Sequence, residues 1–545
     1  MKNVIYILDG ISLSPDCPPE EAILCAERKM RSAGISPDAY RLELYKRSVD
    51  ARRKDDIKLI CAVSATAKEG GKDQRARFER LGARRVELDE IETAVGNEPM
   101  TAPPLVVGMG PAGMFCALLL AERGYRPVII DRGDSVADRV AAMERFYTTH
   151  ILDEDSNIQF GAGGAGTFSD GKLLTRINDP KCAYVLQTFA RFGAPEEITT
   201  KAKPHIGTDI LRDVVDNILR EIERLGGRVI YRCKLTGLRR MPDGLIEAAT
   251  DKGSLLASSV TLALGHSARD TYEMLLGSGF EMIAKPISVG VRIEHKRSFI
   301  EEALYGRFAG TPSLGAAEYA LSDTKGERGV YTFCMCPGGE VVAAASECGG
   351  VVVNGMSKFA RDGANSNSAV AVSVRVEDFE PKDGSLVLGA IEFQRRIERR
   401  AFAAGGGDYR VPVQTVGDFM QGKQGTEPGE VQPTYMDGKH FNTSSMDSVL
   451  PDFVCSTLRY GLASFDKKIR GFASDNALLS GAETRTSSPL RILRGEDMQA
   501  IGKANIYPCG EGAGYAGGIS SAALDGVKVA LAYMKRMRPR EDKDE

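Results

Sequence analysis

A chain of 545 residues has room for three to four domains at about 150 residues each. Hydrophobic residues at 43% and charged residues at 27% exclude a disordered or fibrous chain. With 71 basic against 74 acidic residues the net charge is −3, which excludes a protein built to coat nucleic acid and leaves open only a local basic patch. Glycine, at 59 residues, exceeds the usual share of roughly 7% without any collagen-like period, so loops that bring backbone against a ligand are expected.

The N-terminal MKNVIYILDGISLSPD has too short an apolar run for a secretory signal. No stretch approaches the roughly 20 apolar residues of a membrane span. The eleven cysteines are scattered and include no CxxC pair. Reduced thiols, a cytoplasmic location, no membrane partner and no metal site are therefore expected.

Residues 1–97 read as a unit of their own. VIYILDGISLS predicts a strand, PEEAILCAERKMRSAG a helix, AYRLELYKRSVDARR and DIKLICAVSAT two paired strands, DQRARFERLG a second helix and ARRVELDE a last strand. That βαββαβ order is the split-βαβ, ferredoxin-like α+β arrangement. NEPMTAPP (97–104) is expected to be a linker. Residues 105–280 begin a Rossmann-type domain. Residues 281–480, where ISVGVRIEH, GVYTFCMC and SAVAVSVRVED alternate as half-buried strands, form an inserted mixed-sheet cap. Residues 481–535 return to the first fold. SLVLGAIEFQRRIERRAFAA is an amphipathic helix stopped by Gly405–Gly407, and the charged tail RMRPREDKDE is expected to fray. The fold class is thus α/β with an N-terminal α+β domain.

GxGxxG occurs at Gly108/Gly110/Gly113, Gly161/Gly163/Gly166 and Gly512/Gly514/Gly517. Only the first follows an apolar strand (LVV), opens a helix (MFCALLLAERG) and precedes a second strand (RPVIID) ending in an acid, Asp131. Gly108 permits the turn, Gly110 admits the pyrophosphate and Gly113 lets helix pack on strand, with Pro111 and Ala112 at the helix start. Amides and dipole there favour phosphate, while Asp131, followed by Arg132, accepts from ribose hydroxyls. The second match lies in NIQFGAGGAGTFSDGKL, a loop expensive to order without a ligand. In it Gly164, Ala165, Gly166, Thr167 and Ser169 are candidates for contact with the cofactor, and Lys172 for holding negative charge.

VTLALGHSA ends a mid-chain strand at Gly265, and ANIYPCGEGAGYAGGISSAALDG runs strand, Gly510-Glu511, helix. With the early GxGxxG, this triple resembles FAD-binding flavoproteins of the glutathione-reductase type. The resemblance implies FAD as cofactor, an acid role for Glu511 toward ribitol or phosphate, flavin contacts from Gly518 and Ile519, and adenine against the backbone of Leu235. FGAGGAGTFSDGKL, GHSARDT, GVRIEH, CMCPGG, NGMS, ETRTSSP and PCGEGAGYAGGISSAALDG, in that order, resemble the bacterial FAD-dependent dehydrogenases, a family of NAD(P)/FAD-dependent oxidoreductases. KRSVDARRKDDIKL resembles their leading domain. One departure is Ala162, where the family usually carries glutamate.

Beyond the cofactor, His266 suits proton shuttling or helix packing. Arg485 and Arg491 suit a substrate carboxylate or phosphate, or an ion pair between segments. His150, His205, His295 and His440 show no metal spacing. Arg41, Lys46, Arg47, Arg52, Arg53 and Lys54 suit a solvated strand face or, less simply, an RNA site. Cys334 and Cys336 should share one face of a strand, with Cys336 the thiol expected near the flavin; core packing, a pocket thiol and a redox pair all remain open. The expected function is an FAD-dependent dehydrogenase or reductase of a small-molecule substrate, working by hydride transfer at flavin N5. Electrons come from transient NAD(P)H or a redox protein, with no second Rossmann site. The alternative is an RNA-binding or RNA-modifying flavoprotein that reads through its N-terminal domain.

Overall fold

A computed structural model of the chain describes residues 3–67, 75–88, 91, 93–175 and 177–540. It divides into two compact units.

The first unit comprises Met1–Glu92, Arg176–His205 and Arg297–Glu318. Its elements run β1 (Asn3–Leu13), α1 (Glu21–Ser32), β2 (Tyr40–Asp50), β3 (Lys58–Ala67), α2 (Arg75–Arg80) and β4 (Arg84–Leu88). The sheet order is β2-β3-β1-β4, every pair antiparallel, which is split-βαβ connectivity. Phe78 of α2 lies fully buried, stacked on Tyr6 at 4.1 Å between ring centres and edge-on to Tyr40 at 5.1 Å.

Two later segments join this unit, so its sequence is not confined to the first hundred residues. The Arg47 amide donates to Thr200 O at 2.8 Å and the Ala202 amide to Arg47 O at 2.8 Å, extending the edge of β2. Arg307 donates to Asp55 O at 3.1 Å. Within the basic run, Arg41 pairs with Glu43 and Arg52 with Asp50, each at 2.6 Å.

The second unit comprises Thr93–Thr175, Ile206–Lys296 and Tyr319–Glu545. It opens with β5 (Leu105–Val107), α3 (Pro111–Glu122), β6 (Val128–Ile130), α4 (Val136–Thr149), α5 (Thr208–Arg224), β7 (Arg228–Ile230) and β8 (Val260–Leu262). There follow β9 (Ile287–Lys296), β10 (Ser322–Asp323), β11 (Val330–Cys336), β12 (Asn365–Val374), α6 (Leu386–Gly405), β13 (Val411–Thr415), β14 (Phe441–Thr443) and β15 (Leu478–Glu483). The chain closes with β16 (Ile506–Pro508) and α7 (Ile519–Met534).

One sheet is wholly parallel in the order β16-β8-β5-β6-β7. Strand order reverses at β5, as in doubly wound folds, and places a crevice at the carboxyl ends of β5 and β8. Residues 112–121 of α3 are all buried, so this helix is apolar all round because it is covered on every side. A second sheet is mixed, in the order β10-β11-β12-β9-β15-β13-β14. Its strands fall in the segment expected to form a cap, yet both sheets belong to one compact unit. The expected linker is partly ordered too, since Glu98–Pro99 pairs in parallel with Met537–Arg538. The tail 536–545, expected to fray, is held at Met537–Arg538 by that pairing; 541–545 lie outside the described residues.

Candidate functional site

A cavity of about 350 Å³ opens at the carboxyl ends of the parallel strands. Gly108 and Gly110 after β5, Asp131 after β6, Gly265 after β8 and Glu511 after β16 all line it. The size and position are those of a small-molecule site in an open α/β sheet. Gly108 turns at φ +107°, and a Cβ there would stand 2.2 Å from Ala263 O; no side chain fits. Gly113 does not line the cavity, because it lies beneath the turn against Gly108 O.

Two helix starts face this space. α3 begins at Pro111 behind Gly110, and α7 at Ile519 behind Gly518, neither with a side-chain cap. Their first amides lack intrahelical partners and each carries the positive end of a helix dipole, so both favour an anion. A Cβ on Gly110 would meet nothing nearer than Gly164 Cα at 4.0 Å, and on Gly517 or Gly518 nothing within 4 Å. Backbone is therefore presented to open space over both helix starts.

The second glycine loop forms another wall through Gly164, Ala165, Gly166 and Ser169. Thr167 is buried behind it, donating its hydroxyl to Ala162 O at 3.1 Å. Ala162, fully buried, also gives its carbonyl to Arg139, whose guanidinium further holds the carbonyls of Asn157, Ile158 and Gly164. All three GxGxxG matches thus border one cavity, although only the first has the strand–helix context.

Asp131 is largely committed. Its Oδ1 accepts from the Gly133 and Gly161 amides, each at 2.9 Å, and its Oδ2 from the Met109 amide at 2.8 Å. Of about four lone-pair positions, one on Oδ2 remains for a ligand hydroxyl. Arg132 departs from the sequence expectation. Its guanidinium donates to Asp270 at 2.7 Å and Thr271 at 3.0 Å and covers Phe160, which lines the cavity in its place. Leu235 also departs from it: this residue is buried in the apolar cluster with Leu105, Val107 and Ile130 and does not line the cavity. Gly510 stands back from the wall, its amide held by Asp525 at 2.7 Å, while its neighbours Cys509 and Glu511 reach the surface.

Among the four catalytic candidates, three line the cavity. Lys172 is bound to Asp170 at 2.7 Å, and Asp170 also accepts from Arg361 and Ser357. His266 meets Ser267 Oγ through Nδ1 at 3.0 Å. Burial and the guanidiniums of Arg485 and Arg269 push its imidazole down to about 3, so it stands neutral at physiological pH. Arg485 lines the cavity but spends its donors on Glu398, at 3.0 and 3.2 Å, and on Ser346. Its environment is that of a buried ion pair rather than a free anion clamp.

Cys336 does not line the cavity; Cys334 does. The reason is a break in strand pairing. Phe333 faces Ala369, but pairing resumes only at Cys336 with Asn367, which leaves one extra residue in β11, and Cys334 sits at φ +45°. Simple alternation therefore fails where the thiols lie. Glu511 is half-buried on the wall; burial pushes its carboxyl up to about 7, while Lys285 pulls the other way.

Sequence reasoning missed Gln159, Asn354, Thr486 and Phe333 as lining residues. Gln159 adjoins the glycine loop in NIQF, and Thr486 adjoins Arg485, so proximity to a motif was their one signal. Phe333 comes from β11 of the mixed sheet, within GVYTFCMC, and Asn354 from a separate two-stranded sheet, where it opens NGMS; in both cases the neighbouring motif was the signal.

Residues 286–486 match the family described as FAD-dependent protein, C-terminal domain-like. A protein of Clostridium beijerinckii (strain ATCC 51743 / NCIMB 8052), described as an uncharacterized protein, is 46% identical over 528 residues, covering 96% of each chain. The present chain belongs to the same family. FAD is the cofactor that the family description names. Among solved structures, CtdE in complex with FAD covers 79% of this chain and 82% of its own at 11% identity and a TM-score of 0.33. Tetracycline destructase Tet(51) covers 79% and 80% at 10% identity and a TM-score of 0.33.

The site fits the cofactor. Uncapped helix starts, glycines facing open space and a spare acceptor on Asp131 are the donor and acceptor set a dinucleotide requires.

Proposed function

We propose that this chain is an FAD-dependent oxidoreductase acting on a small molecule. The observation that carries the reading is the convergence of two uncapped helix N-termini on one cavity at the switch point of the parallel sheet. FAD, when bound, supplies two-electron redox chemistry. The α3 start with Gly110, Pro111 and Ala112 would hold the pyrophosphate, Asp131 a ribose hydroxyl, and Gly518 and Ile519 the ring end. The 161–169 loop would cover the cofactor and exclude water.

The chain's own groups set the electrostatics. Lys172 brings a cation to the wall, tethered by buried Asp170. His266, held neutral by burial and the neighbouring guanidiniums, offers an uncharged ring for hydrogen bonding and does not take up a proton near pH 7. Glu511, which changes charge near pH 7, can hold or release a proton at its carboxyl. Electrons are proposed to come from transient NAD(P)H or a redox protein.

Purification followed by an absorbance spectrum and chromatography of the acid-released cofactor tests this. FAD at one per chain is expected; FMN, or colourless protein that takes up no FAD, would overturn it. Gly110→Val should abolish loading while leaving the fold intact, because Gly110 has ordinary extended backbone (φ −71°, ψ 178°) and its side chain would enter only the cavity.

A further inference from the structure

The proposed oxidoreductase reading leaves Cys334 and Cys336 unexplained. β11 breaks its pairing with β12 between Phe333 and Cys336, and Cys334 adopts φ +45°, a conformation uncommon for any non-glycine residue. Such outliers concentrate where a side chain must be presented. The result is that Cys334 lines the cavity while Cys336, two residues on, is fully buried. The Cys336 thiol donates to Cys334 O, its Sγ 3.4 Å away.

The surroundings are charged. Arg292, fully buried and paired with Glu483 at 2.6 Å, donates to Cys334 O at 2.9 Å and lies 3.9 Å from Cys336 Sγ. Lys172, held by Asp170, and Glu511 line the same cavity. Phe333 and Leu174, 37% and 60% exposed, also line it and offer apolar surface to a substrate's body.

We propose that Cys334 and Cys336 are a redox-active dithiol on the cavity wall, with Cys334 the attacking sulfur and Cys336 the resolving one, and that their substrate is a small organic disulfide, R–S–S–R. Electrostatics agree with this division. The Cys336 thiol beside it, with Arg292 and Lys172, pulls the Cys334 thiol below its usual value against its burial, while Cys336 is pushed up by Cys334 and by burial. Thiolate at neutral pH is the nucleophilic form.

The exchange balances as follows. Cys334 thiolate attacks one substrate sulfur, the S–S bond breaks, and the first R–S⁻ leaves with the proton Cys334 gave up to Glu511 or solvent. Cys336 then attacks Cys334 Sγ in the mixed disulfide, and the second R–S⁻ leaves with the Cys336 proton. The dithiol is oxidised to a disulfide and R–S–S–R is reduced to two R–SH. Only the return to dithiol rests on the FAD reading, which would supply the two electrons; the exchange itself does not.

The test uses the full chain, with its flavin content measured separately, so that loss of FAD and failure of the thiols are read apart. Iodoacetamide labelling at pH 7, resolved by peptide mass, compares Cys334 with exposed Cys348, whose thiol is pushed up by burial and Glu154. Cys334 should alkylate about tenfold faster or more, the thiolate advantage being partly offset by lower intrinsic nucleophilicity. Oxidised glutathione should then give a peptide lighter by two hydrogens, bridging 334 to 336. Cys336→Ser should instead trap a glutathione adduct on Cys334, and Cys334→Ser should abolish both species. If wild-type Cys334 labels no faster than Cys348, and neither bridge nor adduct forms, the proposal is wrong whatever the flavin content.

Discussion

Glu398 holds two buried guanidiniums at once. It accepts from Arg269 at 2.8 and 2.9 Å and from Arg485 at 3.0 and 3.2 Å, with Thr484 adding a hydroxyl at 2.7 Å. These charges keep its carboxyl well below the usual carboxylate range despite complete burial. Removing it leaves buried Arg485 without its carboxylate and Arg269 with Glu347 alone, so Glu398→Ala should cost ~3–5 kcal/mol in urea unfolding. Because the folded value is depressed, this contribution is present above the unfolded carboxylate value and is lost only in strong acid. Glu511 has the opposite sign. Its folded value, about 7, lies above the ordinary 4.5, so the folded chain retains a proton that the unfolded chain releases. Between those two values rising pH removes stability from the cofactor-free protein. Glu511→Gln should therefore gain thermal stability relative to wild type between pH 5 and about 7.5. Parallel melting curves across that range would show that Glu511 is already ionised in the folded chain.

At the scale of elements, the site depends on how closely α3 and α7 cross. A Cβ on Gly526 of α7 would stand 2.0 Å from Ala112 O of α3. Neither backbone can withdraw without moving a helix start that lines the cavity. Gly526→Val should cost ~1–3 kcal/mol or more by overpacking, and should weaken FAD retention together with stability. That coupled loss separates it from Gly110→Val, which should affect retention alone. These elements were legible in the sequence because each carries its own punctuation: apolar strand, glycine turn, helix, acid. The split-βαβ order of the first unit was legible for the same reason, through its alternating strands and two short helices. What remained hidden depends on pairing between distant segments. The irregularity in β11 that brings Cys334 rather than Cys336 to the cavity is set by its register against β12. The commitment of Arg485 to Glu398 is set by α6, almost ninety positions away in the chain. Arg132 and Leu235 do not line the cavity for a related reason: Asp270 and the apolar cluster hold them, and neither partner is local.

The whole molecule has two compact units, and every residue lining the cavity belongs to the second. A ligand stabilises what it binds by mass action, so saturating FAD at about a hundred times its dissociation constant should add ~2.7 kcal/mol to the unit that contains the site. Hydrogen exchange of the full chain, with and without FAD, distinguishes this from a general tightening. Protection should rise in 105–113, 161–172, 263–267 and 509–522, because those segments carry the glycine turns, the uncapped helix starts and the loop between them. The amides of β1–β4 should exchange at unchanged rates, since no residue of that sheet lines the cavity. FMN, which lacks the adenylate half, should protect the 509–522 end and leave the Met109, Gly133 and Gly161 amides around Asp131 as they were. Equal protection of both units by FAD would mean that the first unit takes part in cofactor binding, and equal protection of the Asp131 loop by FMN would mean that the adenylate half binds elsewhere.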